Sequence, residues 1–382
     1  MKTTYELRLY DKRLMTFSLE ESGIKGLVAE VAEVASIDKG QNNLLPLGLE
    51  PTPGSLLKWL RQRIIPKNRA FVHEILKSLN LSPGNVKGII DICKVLSLND
   101  SYWIVPQGFS GCFSEYNLYQ NPFSELLALV AYTGIGQSQM AFSTSPELTT
   151  EGMLPKAWRQ IENDGIYLYK GGYGAIFNMG KEPYSEYYAS QIAHAMGLNA
   201  VKYDLEVWKN ILASKCRLFT DIDTAFVPAG KIIKSGGLKE CFDCYASLGN
   251  SFLEDLKSML VFDAVIYNED RHFGNFGILR DSRSGAIIST APLFDHGLSL
   301  FNFASDEDVA SLDEYAKTRR PAYPDITFET ICTEAIGKTQ LAQLEKLSGF
   351  KFIQHSSINL PNHRLDAIQR HIQRRVGSLL KL

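Results

Sequence analysis

The sequence lacks an excess of charge of either sign. Its 40 lysine and arginine residues are nearly balanced by 42 aspartate and glutamate residues, which leaves a net charge of −2. That balance argues against nucleic-acid binding through bulk electrostatics, although a local basic patch is compatible with it. We therefore expect no direct contact with nucleic acid.

Long apolar runs are also absent. The longest, at residues 126–131, is far too short to cross a bilayer, and the first eight residues lack the apolar core of a signal peptide. We therefore expect a soluble, cytoplasmic protein with no membrane partner.

Cysteine is scarce, and its spacing does not suit a structural metal site. The six cysteines include one C-x-x-C pair, Cys241 and Cys244, and no second pair lies at a spacing suited to zinc. In an intracellular chain of this size we expect reduced, buried cysteines, with the pair placed by chance in a helical segment. The sequence also lacks a Walker A motif, a G-x-G-x-x-G loop, internal repeats and low-complexity segments.

The chain does have ample material for folded domains. Hydrophobic residues make up 45% and charged residues 21% of its 382 residues, which is typical of a globular protein with two or three domains. Alternating apolar and polar residues predict a β-hairpin over 5–20, and a strand is predicted from Ser101. Helical spacing of apolar residues predicts helices over 55–65, 69–79 and 85–95.

The helices at 71–79 and 85–95 have helix-turn-helix proportions, so DNA binding is one interpretation of this pair. The second helix offers few side chains that could read bases, which favours the alternative of two helices packed together. A DNA-binding regulator nevertheless stays open as an alternative function.

The second half of the chain alternates strand-like and helical segments. A helix over 184–196 is expected to end at Gly197, a favourable residue after a helix C-terminus. From residue 252 the pattern is mostly helical, and it ends in an amphipathic helix over 363–380 with a basic outer face. Strands are predicted at 139–143, 165–169, 200–208 and 210–220.

The most informative segment runs from Tyr267 to Leu279 and reads Y-N-E-D-R-H-F-G-N-F-G-I-L. Asp270 is followed five residues later by Asn275, and Asp295 follows within F-D-H-G, an order typical of phosphoryl-transfer sites. In such a site Asp270 orients the attacking hydroxyl, while Asn275 and Asp295 supply hard oxygen ligands to Mg²⁺. Taken alone, the motif is also compatible with a polar turn and a surface ion pair.

Two upstream residues strengthen the phosphoryl-transfer interpretation. Lys170 ends a strand-like run, and Glu186 lies sixteen residues later near the start of the next helix, as in the pair that places an ammonium on nucleotide phosphates. The glycine-rich segment after Lys170 is interpreted as a turn. The candidate phosphate loop therefore lies before it, at 149–156, with Gly152, Lys156 and backbone N–H groups.

These motifs resemble the HipA-like serine/threonine kinases, which are bacterial toxin-type kinases of protein-kinase-like fold. The resemblance rests on N-E-D-R-H-F-G-N-F-G, on A-P-L-F-D-H-G and, upstream, on S-E-Y-Y-A-S-Q-I-A-H-A-M-G-L. It is firm over 143–300 and looser over 44–103. The Arg-His pair after the aspartate distinguishes this family from kinases with a His-Arg-Asp motif.

The resemblance implies three groups of site residues. The catalytic base would be Asp270, with His272 as an orienting residue. The Mg²⁺ ligands would be Asn275 and Asp295. The residues that would bind ATP are Lys170, Glu186, Gly152, Lys156, Lys215 and Phe219. Some family members autophosphorylate a serine in the nucleotide loop, and the hydroxyl residues near that loop here are Ser143, Ser145, Thr149 and Thr150.

We therefore predict an α+β protein with a two-lobed, protein-kinase-like fold, comprising an α/β extension at 1–136, an N-lobe at 137–221 and a C-lobe at 222–382. The predicted activity is ATP- and Mg²⁺-dependent phosphorylation of serine or threonine in a protein substrate, as in a toxin–antitoxin kinase. A small helix-turn-helix protein of antitoxin type is the expected partner. The alternatives are a catalytically silent, nucleotide-binding pseudokinase and the DNA-binding regulator.

Overall fold

The computed structural model describes residues 2–22, 28–37, 42–136, 144–173, 180–233 and 236–382. The predicted strand at 139–143 lies outside these residues. The chain divides into two compact units, each with its own hydrophobic core. Unit 1 comprises Met1–Lys170, Leu218–Val227 and Leu279–Ile288. Unit 2 comprises Gly171–Arg217, Pro228–Ile278 and Ser289–Leu382.

Unit 1 contains a four-stranded antiparallel sheet with the strand order β3-β2-β1-β4. The strands are β1 (Lys2–Leu9), β2 (Lys12–Ser22), β3 (Val28–Ile37) and β4 (Tyr102–Pro106). The predicted hairpin is confirmed: Tyr10 and Asp11 join β1 to β2, and Tyr10 has the positive φ of 49° that a two-residue hairpin turn requires. Tyr5 pairs with Phe17, and both side chains enter the core of unit 1.

Helices cover this sheet, and the three predicted ones are confirmed. Each is shorter than predicted, and the first begins at Pro53, two residues before its predicted start. The helices of unit 1 are α1 (Pro53–Arg61), α2 (Val72–Ser78), α3 (Val86–Cys93), α4 (Phe113–Tyr116) and α5 (Glu125–Thr133). Thr52 caps α1 by accepting a hydrogen bond from the N–H of Ser55, and Pro53 stands at its first position. Asp91 of α3 accepts a hydrogen bond of 2.6 Å from the hydroxyl of Tyr5 on β1. The helix pair α2 and α3 therefore packs into the unit 1 core, as the interpretation of two packed helices expects.

A second antiparallel hairpin of unit 1 contains the predicted lysine strand. It consists of β5 (Lys156–Ile161) and β6 (Gly165–Gly171), with Lys156 opposite Lys170. Three further strands, β9 (Thr224–Pro228), β10 (Gly277–Asp281) and β11 (Ile287–Thr290), form a sheet in the order β11-β10-β9.

Unit 2 is mainly helical. It begins with α6 (Glu182–Met196), which ends at Gly197 with φ +80° as predicted, and with the antiparallel hairpin of β7 (Tyr203–Trp208) and β8 (Ile211–Arg217). The other helices are α7 (Leu238–Leu248), α8 (Asn250–Ile266), α9 (Asp306–Ala310), α10 (Leu312–Ala316), α11 (Phe328–Ala335), α12 (Lys338–Glu345) and α13 (Asn362–Leu379). Every residue of α8 from Ser258 to Ile266 is buried, which places Asp263 in the core.

The cysteine pair lies within α7, as expected, and the six cysteines are free thiols. The expectation that they are buried holds for Cys93, Cys241 and Cys332 and is wrong for Cys112, which is exposed. Among the residues that the structure describes, no three His, Cys, Asp or Glu side chains are grouped to hold a metal ion. In the same part of the chain, no helix combines the length and apolarity needed to cross a membrane.

Candidate active site

The Asp-x-x-x-x-Asn motif follows the C-terminal end of α8 in unit 2. Tyr267 leaves this helix in a left-handed conformation, with φ 53°. Asn268 is fully buried, and its Nδ2 donates to Oδ1 of Asp263 at 3.0 Å. Its Oδ1 accepts a hydrogen bond of 3.1 Å from the N–H of Asp270. Asn268 thus connects the backbone of the candidate base to a carboxylate in the unit 2 core.

The buried side chain of Arg271 connects the Asp-x-x-x-x-Asn loop to the F-D-H-G segment. Its Nε and Nη2 donate to the two carboxylate oxygens of Asp263 at 2.8 and 2.9 Å. Its Nη1 donates to the carbonyl oxygens of Asn275 at 2.9 Å and of Phe294 at 2.6 Å, and Nη2 also donates to Nδ1 of His296 at 3.0 Å. Because Phe294 and His296 flank the aspartate of the F-D-H-G segment, one guanidinium holds both segments.

The electrostatics of this cluster agree with its geometry. Burial opposes the charge of Arg271, but the adjacent Asp263 carboxylate outweighs burial and keeps the pKa of the guanidinium above its ordinary value. Bidentate, charge-assisted hydrogen bonds of this kind are among the strongest in proteins. A guanidinium can only donate, so Nδ1 of His296 must be the acceptor.

Asn275 and His272 make different contacts within the loop. Nδ2 of the buried Asn275 donates to the carbonyl oxygen of Asp270 at 2.9 Å, so its amide oxygen is the atom suited to a metal ion. His272 is exposed, and its Nδ1 accepts a hydrogen bond of 3.0 Å from the N–H of Gly274. His272 therefore contributes to the shape of the turn.

Asp295 is held in a left-handed conformation, with φ 56°, which is uncommon for a non-glycine residue but tolerated by aspartate. Its N–H donates to the hydroxyl oxygen of Tyr203 on β7 at 3.1 Å. The next N–H, that of His296, donates to Oε2 of the fully buried Glu186 on α6 at 2.6 Å. Burial raises the pKa of Tyr203 well above its ordinary value, so a neutral hydroxyl accepts the hydrogen bond.

Sequence reasoning missed several of the residues that support this site. It assigned no role to Asp263, Asn268, Arg271, Tyr203 or His296. A signal for Asp263 was present, because it is the one charged residue in the apolar run at 260–266. No comparable signal marks Tyr203, which lies 92 residues before the backbone it supports.

Unit 1 contains the candidate phosphate-binding residues. Lys170 and Lys156 are both buried and stand opposite each other on neighbouring antiparallel strands, so their side chains leave the same face of the hairpin. Nζ of Lys156 donates to the carbonyl oxygen of Glu151 at 2.8 Å. Gly152 has φ +88°, and a Cβ at this position would collide with Nζ of Lys156.

Arg69 anchors the segment that leads to these lysines. Its Nη2 donates to Oε2 of Glu147 at 2.6 Å and to the carbonyl oxygen of Lys156 at 2.9 Å. Its Nη1 donates to the carbonyl oxygens of Glu147 at 2.9 Å and of Thr150 at 3.1 Å. The Arg69 and Glu147 side chains are 0% and 1% exposed, so this anchor lies in the interior of unit 1.

The last two candidates for ATP binding, Lys215 and Phe219, lie in different units. Lys215 on β8 belongs to unit 2 and forms an ion pair of 3.0 Å with Glu206. Phe219 belongs to unit 1 and packs edge to face against Phe226, with 5.6 Å between ring centroids. The candidates in unit 1 are therefore Gly152, Lys156, Lys170 and Phe219. Those in unit 2 are Glu186, Lys215, Asp270, His272, Asn275 and Asp295.

Comparisons with known proteins bear on the family and the fold. No protein-family model matches the chain. The serine/threonine-protein kinase CtkA of Helicobacter pylori is 32% identical over 139 residues, which cover 32% of this chain and 42% of that protein. The chain thus spans less than half the length of this curated relative.

Two solved structures are also similar. A crystal structure of the Helicobacter pylori proinflammatory kinase CtkA is 19% identical with a TM-score of 0.49, covering 62% of this chain and 92% of that chain. The Shewanella oneidensis toxin–antitoxin complex of HipA, HipB and operator DNA contains a chain that is 11% identical with a TM-score of 0.54, and 99% of each chain is covered. The curated match to a kinase and the similarity in fold to the HipA, HipB and operator DNA complex confirm the predicted resemblance to the HipA-like kinases and the predicted α+β, kinase-like fold.

Proposed function

We propose that this chain, HipA-like in its fold and its motifs, is a serine/threonine kinase that transfers the γ-phosphoryl group of Mg²⁺-bound ATP to a hydroxyl group of a protein. The observation that carries the proposal is the Arg271 network. It binds the carbonyl oxygens of Asn275 and of Phe294, the residue before Asp295. The same guanidinium therefore holds the backbone at both proposed metal ligands.

The residues present fit a magnesium ion. Mg²⁺ prefers oxygen ligands and is commonly bound through one or two protein groups, with water and phosphate oxygens completing the shell. The amide oxygen of Asn275 and the carboxylate of Asp295 provide two such groups. When bound, the ion would neutralise charge on the triphosphate.

The chain's own groups supply positioning and charge. The half-buried Asp270 would accept or orient the proton of the attacking hydroxyl, and Asn275 holds its carbonyl oxygen in place. Lys156 and Lys170, on one face of their hairpin, would bind phosphate oxygens. Transfer then depends on alignment rather than on covalent catalysis by the protein.

The proposal extends to a small helix-turn-helix partner of antitoxin type. Its support is the similarity in fold to a chain of the HipA, HipB and operator DNA complex. Co-purification of this chain with the product of a neighbouring small reading frame would support the partner. Recovery of this chain alone from cells that express both would argue against it.

The decisive experiment compares three variants in a γ-labelled ATP transfer assay and in a binding assay. Asp270→Asn should retain Mg²⁺-ATP binding and lose transfer, and Asp295→Ala should lose binding. The control is Asp243→Asn on the surface of α7, where the side chain is 70% exposed, and it should retain both. Binding is read from thermal stability, since ATP at a hundred times its Kd adds about 2.7 kcal/mol.

The outcomes separate the alternatives. A wild-type protein that binds Mg²⁺-ATP but never transfers phosphate is a pseudokinase. Wild-type turnover in Asp270→Asn would refute the role of Asp270 as the base.

A further inference from the structure

A cavity of about 90 Å³ lies within unit 2, and it is lined by none of the candidate site residues. Its buried wall includes the apolar side chains of Leu256, Met259 and Phe276, and the polar residues Asn199 and Asp255 at its edge are exposed. This volume is several times the roughly 10–15 Å³ that one water molecule requires, and it is below the roughly 150 Å³ of a cavity known to hold benzene. The cavity is therefore large enough for a small organic molecule.

Two residues that line this cavity each carry a buried polar atom without a hydrogen-bond partner among the described residues. The atoms are the hydroxyl oxygen of Tyr245, a residue that is 1% exposed, and Oε1 of Gln343. Buried polar groups in native proteins nearly always have a partner in the protein, in ordered water or in a ligand. The amide oxygen of Gln343 can only accept, so its partner must carry an N–H or O–H group.

The edge of the cavity adds a preference for charge. Asp255 lines the cavity, and its Oδ2 accepts a hydrogen bond of 2.6 Å from the hydroxyl of Thr290, which fixes the carboxylate there. A negative charge at the entrance attracts a cation and repels an anion. The acceptor on Gln343 and the charge of Asp255 favour the same kind of group, a protonated amine.

We propose that this cavity is a binding site for a small amine whose apolar body is smaller than a benzene ring. The apolar body would lie against Leu256, Met259 and Phe276. The amine would donate to Oε1 of Gln343 and to the hydroxyl oxygen of Tyr245. Ordered water is the competing occupant, because water molecules could also form hydrogen bonds with these two polar atoms.

The position of the cavity gives the proposal a functional consequence. Phe276 directly follows Asn275, and Leu293, another lining residue, lies two residues before Asp295. A ligand in the cavity would therefore change the rate of phosphoryl transfer by restricting these two segments. This consequence rests on the proposed kinase function, whereas binding itself does not.

The test uses three probes of the same ring size with the full chain: cyclopentylamine, cyclopentanol and cyclopentanecarboxylate. Saturable binding, followed by protein NMR shifts, should be tightest for the amine and at least tenfold weaker for the carboxylate. Tyr245→Phe should weaken amine binding by about two- to tenfold, the value of one neutral hydrogen bond, without lowering the melting temperature. Ala291→Leu, which fills the cavity from its buried wall, should abolish binding.

Tyr315→Phe is the matched control, because this tyrosine lies on α10 and packs against Phe301 outside the cavity. It should bind the amine as the wild type does. Absence of saturable binding, or unchanged binding in Ala291→Leu, would overturn the proposal. If Ala291→Leu does not fold, a crystal of the wild type soaked with the amine decides, and ordered water alone in the cavity is the contrary result. Amine binding by a protein that shows no transfer activity would support the amine site and contradict the proposed kinase function.

Discussion

Arg271 and Asp263 form a two-point ion pair in the interior of unit 2, with Nε to Oδ2 at 2.8 Å and Nη2 to Oδ1 at 2.9 Å. The aspartate lies on α8 and the arginine on the loop that follows it, eight residues later. The pair therefore binds the loop directly to α8, whose residues 258–266 are all buried, and the same guanidinium also donates to Nδ1 of His296.

Arg271→Met should strongly destabilise the protein. The substitution leaves the Asp263 carboxylate buried without its counter-charge, and breaking a buried ion pair from one side typically costs about 3–5 kcal/mol. The free energy of unfolding from urea titration measures the loss. Arg370→Ala, at an exposed position of α13, should change it by no more than about 0.5 kcal/mol. Equal effects of the two substitutions would mean that the pair contributes little.

Tyr203→Phe should lower stability by about 1–3 kcal/mol, because it removes the oxygen that accepts the N–H of Asp295. If Asp295 holds the metal, the KM for Mg²⁺-ATP should rise as well. Tyr187→Phe is the control, since its hydroxyl donates to the carbonyl oxygen of Ile353 in an exposed contact of 3.5 Å. A loss of stability with no change in KM would mean that Tyr203 stabilises the fold but does not position Asp295 for nucleotide binding.

Arg69→Met should destabilise unit 1, again by about 3–5 kcal/mol, because Glu147 would be left buried and unpaired. It should also weaken nucleotide binding, since Arg69 holds the carbonyl oxygens of Thr150 and Lys156. Arg61→Ala, at an exposed position at the end of α1, is the matched control. Full nucleotide affinity in folded Arg69→Met would mean that the 149–156 segment does not contribute to nucleotide binding.

Gly152→Ala tests the placement of Lys156. The new methyl group would meet Nζ of Lys156, and the φ of +88° adds backbone strain of about 1–2 kcal/mol. Gly108→Ala has the same backbone strain, with φ +82°, but its methyl group would meet nothing within 4 Å. Nucleotide binding should therefore fall in Gly152→Ala and persist in Gly108→Ala. Parallel behaviour of the two variants would show that the position of Lys156 is irrelevant to binding.

His371 should make the protein sensitive to acid. Burial lowers the pKa of this imidazole, although the Asp313 carboxylate, 2.6 Å from Nδ1, acts to raise it. Protonation would add an N–H at Nε2, and no acceptor for that N–H lies among the described residues. Above its folded pKa and below about 6.5, the unfolded chain holds the extra proton, so the free energy of unfolding falls as the pH falls, by at most about 1.4 kcal/mol per pH unit. The positive charges of Arg374 and Arg375 also lower the pKa of His371.

The measurement is the free energy of unfolding between pH 5 and pH 7.5. His371→Gln should flatten its decline below about pH 6.5. His363→Gln, at an exposed position of the same helix, should leave the decline as it is in the wild type. A steeper decline in His371→Gln would mean that protonated His371 stabilises the fold.

Local patterns allowed much of the architecture to be predicted. The alternation over 5–20 predicted the hairpin, and apolar spacing together with Gly197 predicted α6 and its end. Such features depend on residues a few positions apart, which is why a single sequence reveals them. Helix bounds were less accurate, because the last turns depend on caps and packing rather than on apolar spacing.

The roles of the candidate site residues stay predictions, but their surroundings could not have been predicted from spacing. Glu186 was expected near Lys170, and the structure shows that it accepts the N–H of His296, which lies 110 residues away in the chain. The bond from Asp295 to Tyr203 and the cavity beneath Phe276 have no local signature either.

The amino-acid order alone predicted most helices and strands, because these follow from short-range periodicity. Its motifs also carried the resemblance to the HipA-like kinases, and that resemblance implied the α+β, kinase-like fold. Tertiary packing alone decided that Arg271 would use every one of its N–H groups inside unit 2 and that Tyr245 and Gln343 would border a cavity. The physical reason is that a buried polar atom must find its partner wherever the folded chain brings one, and that position depends on all the packed elements together.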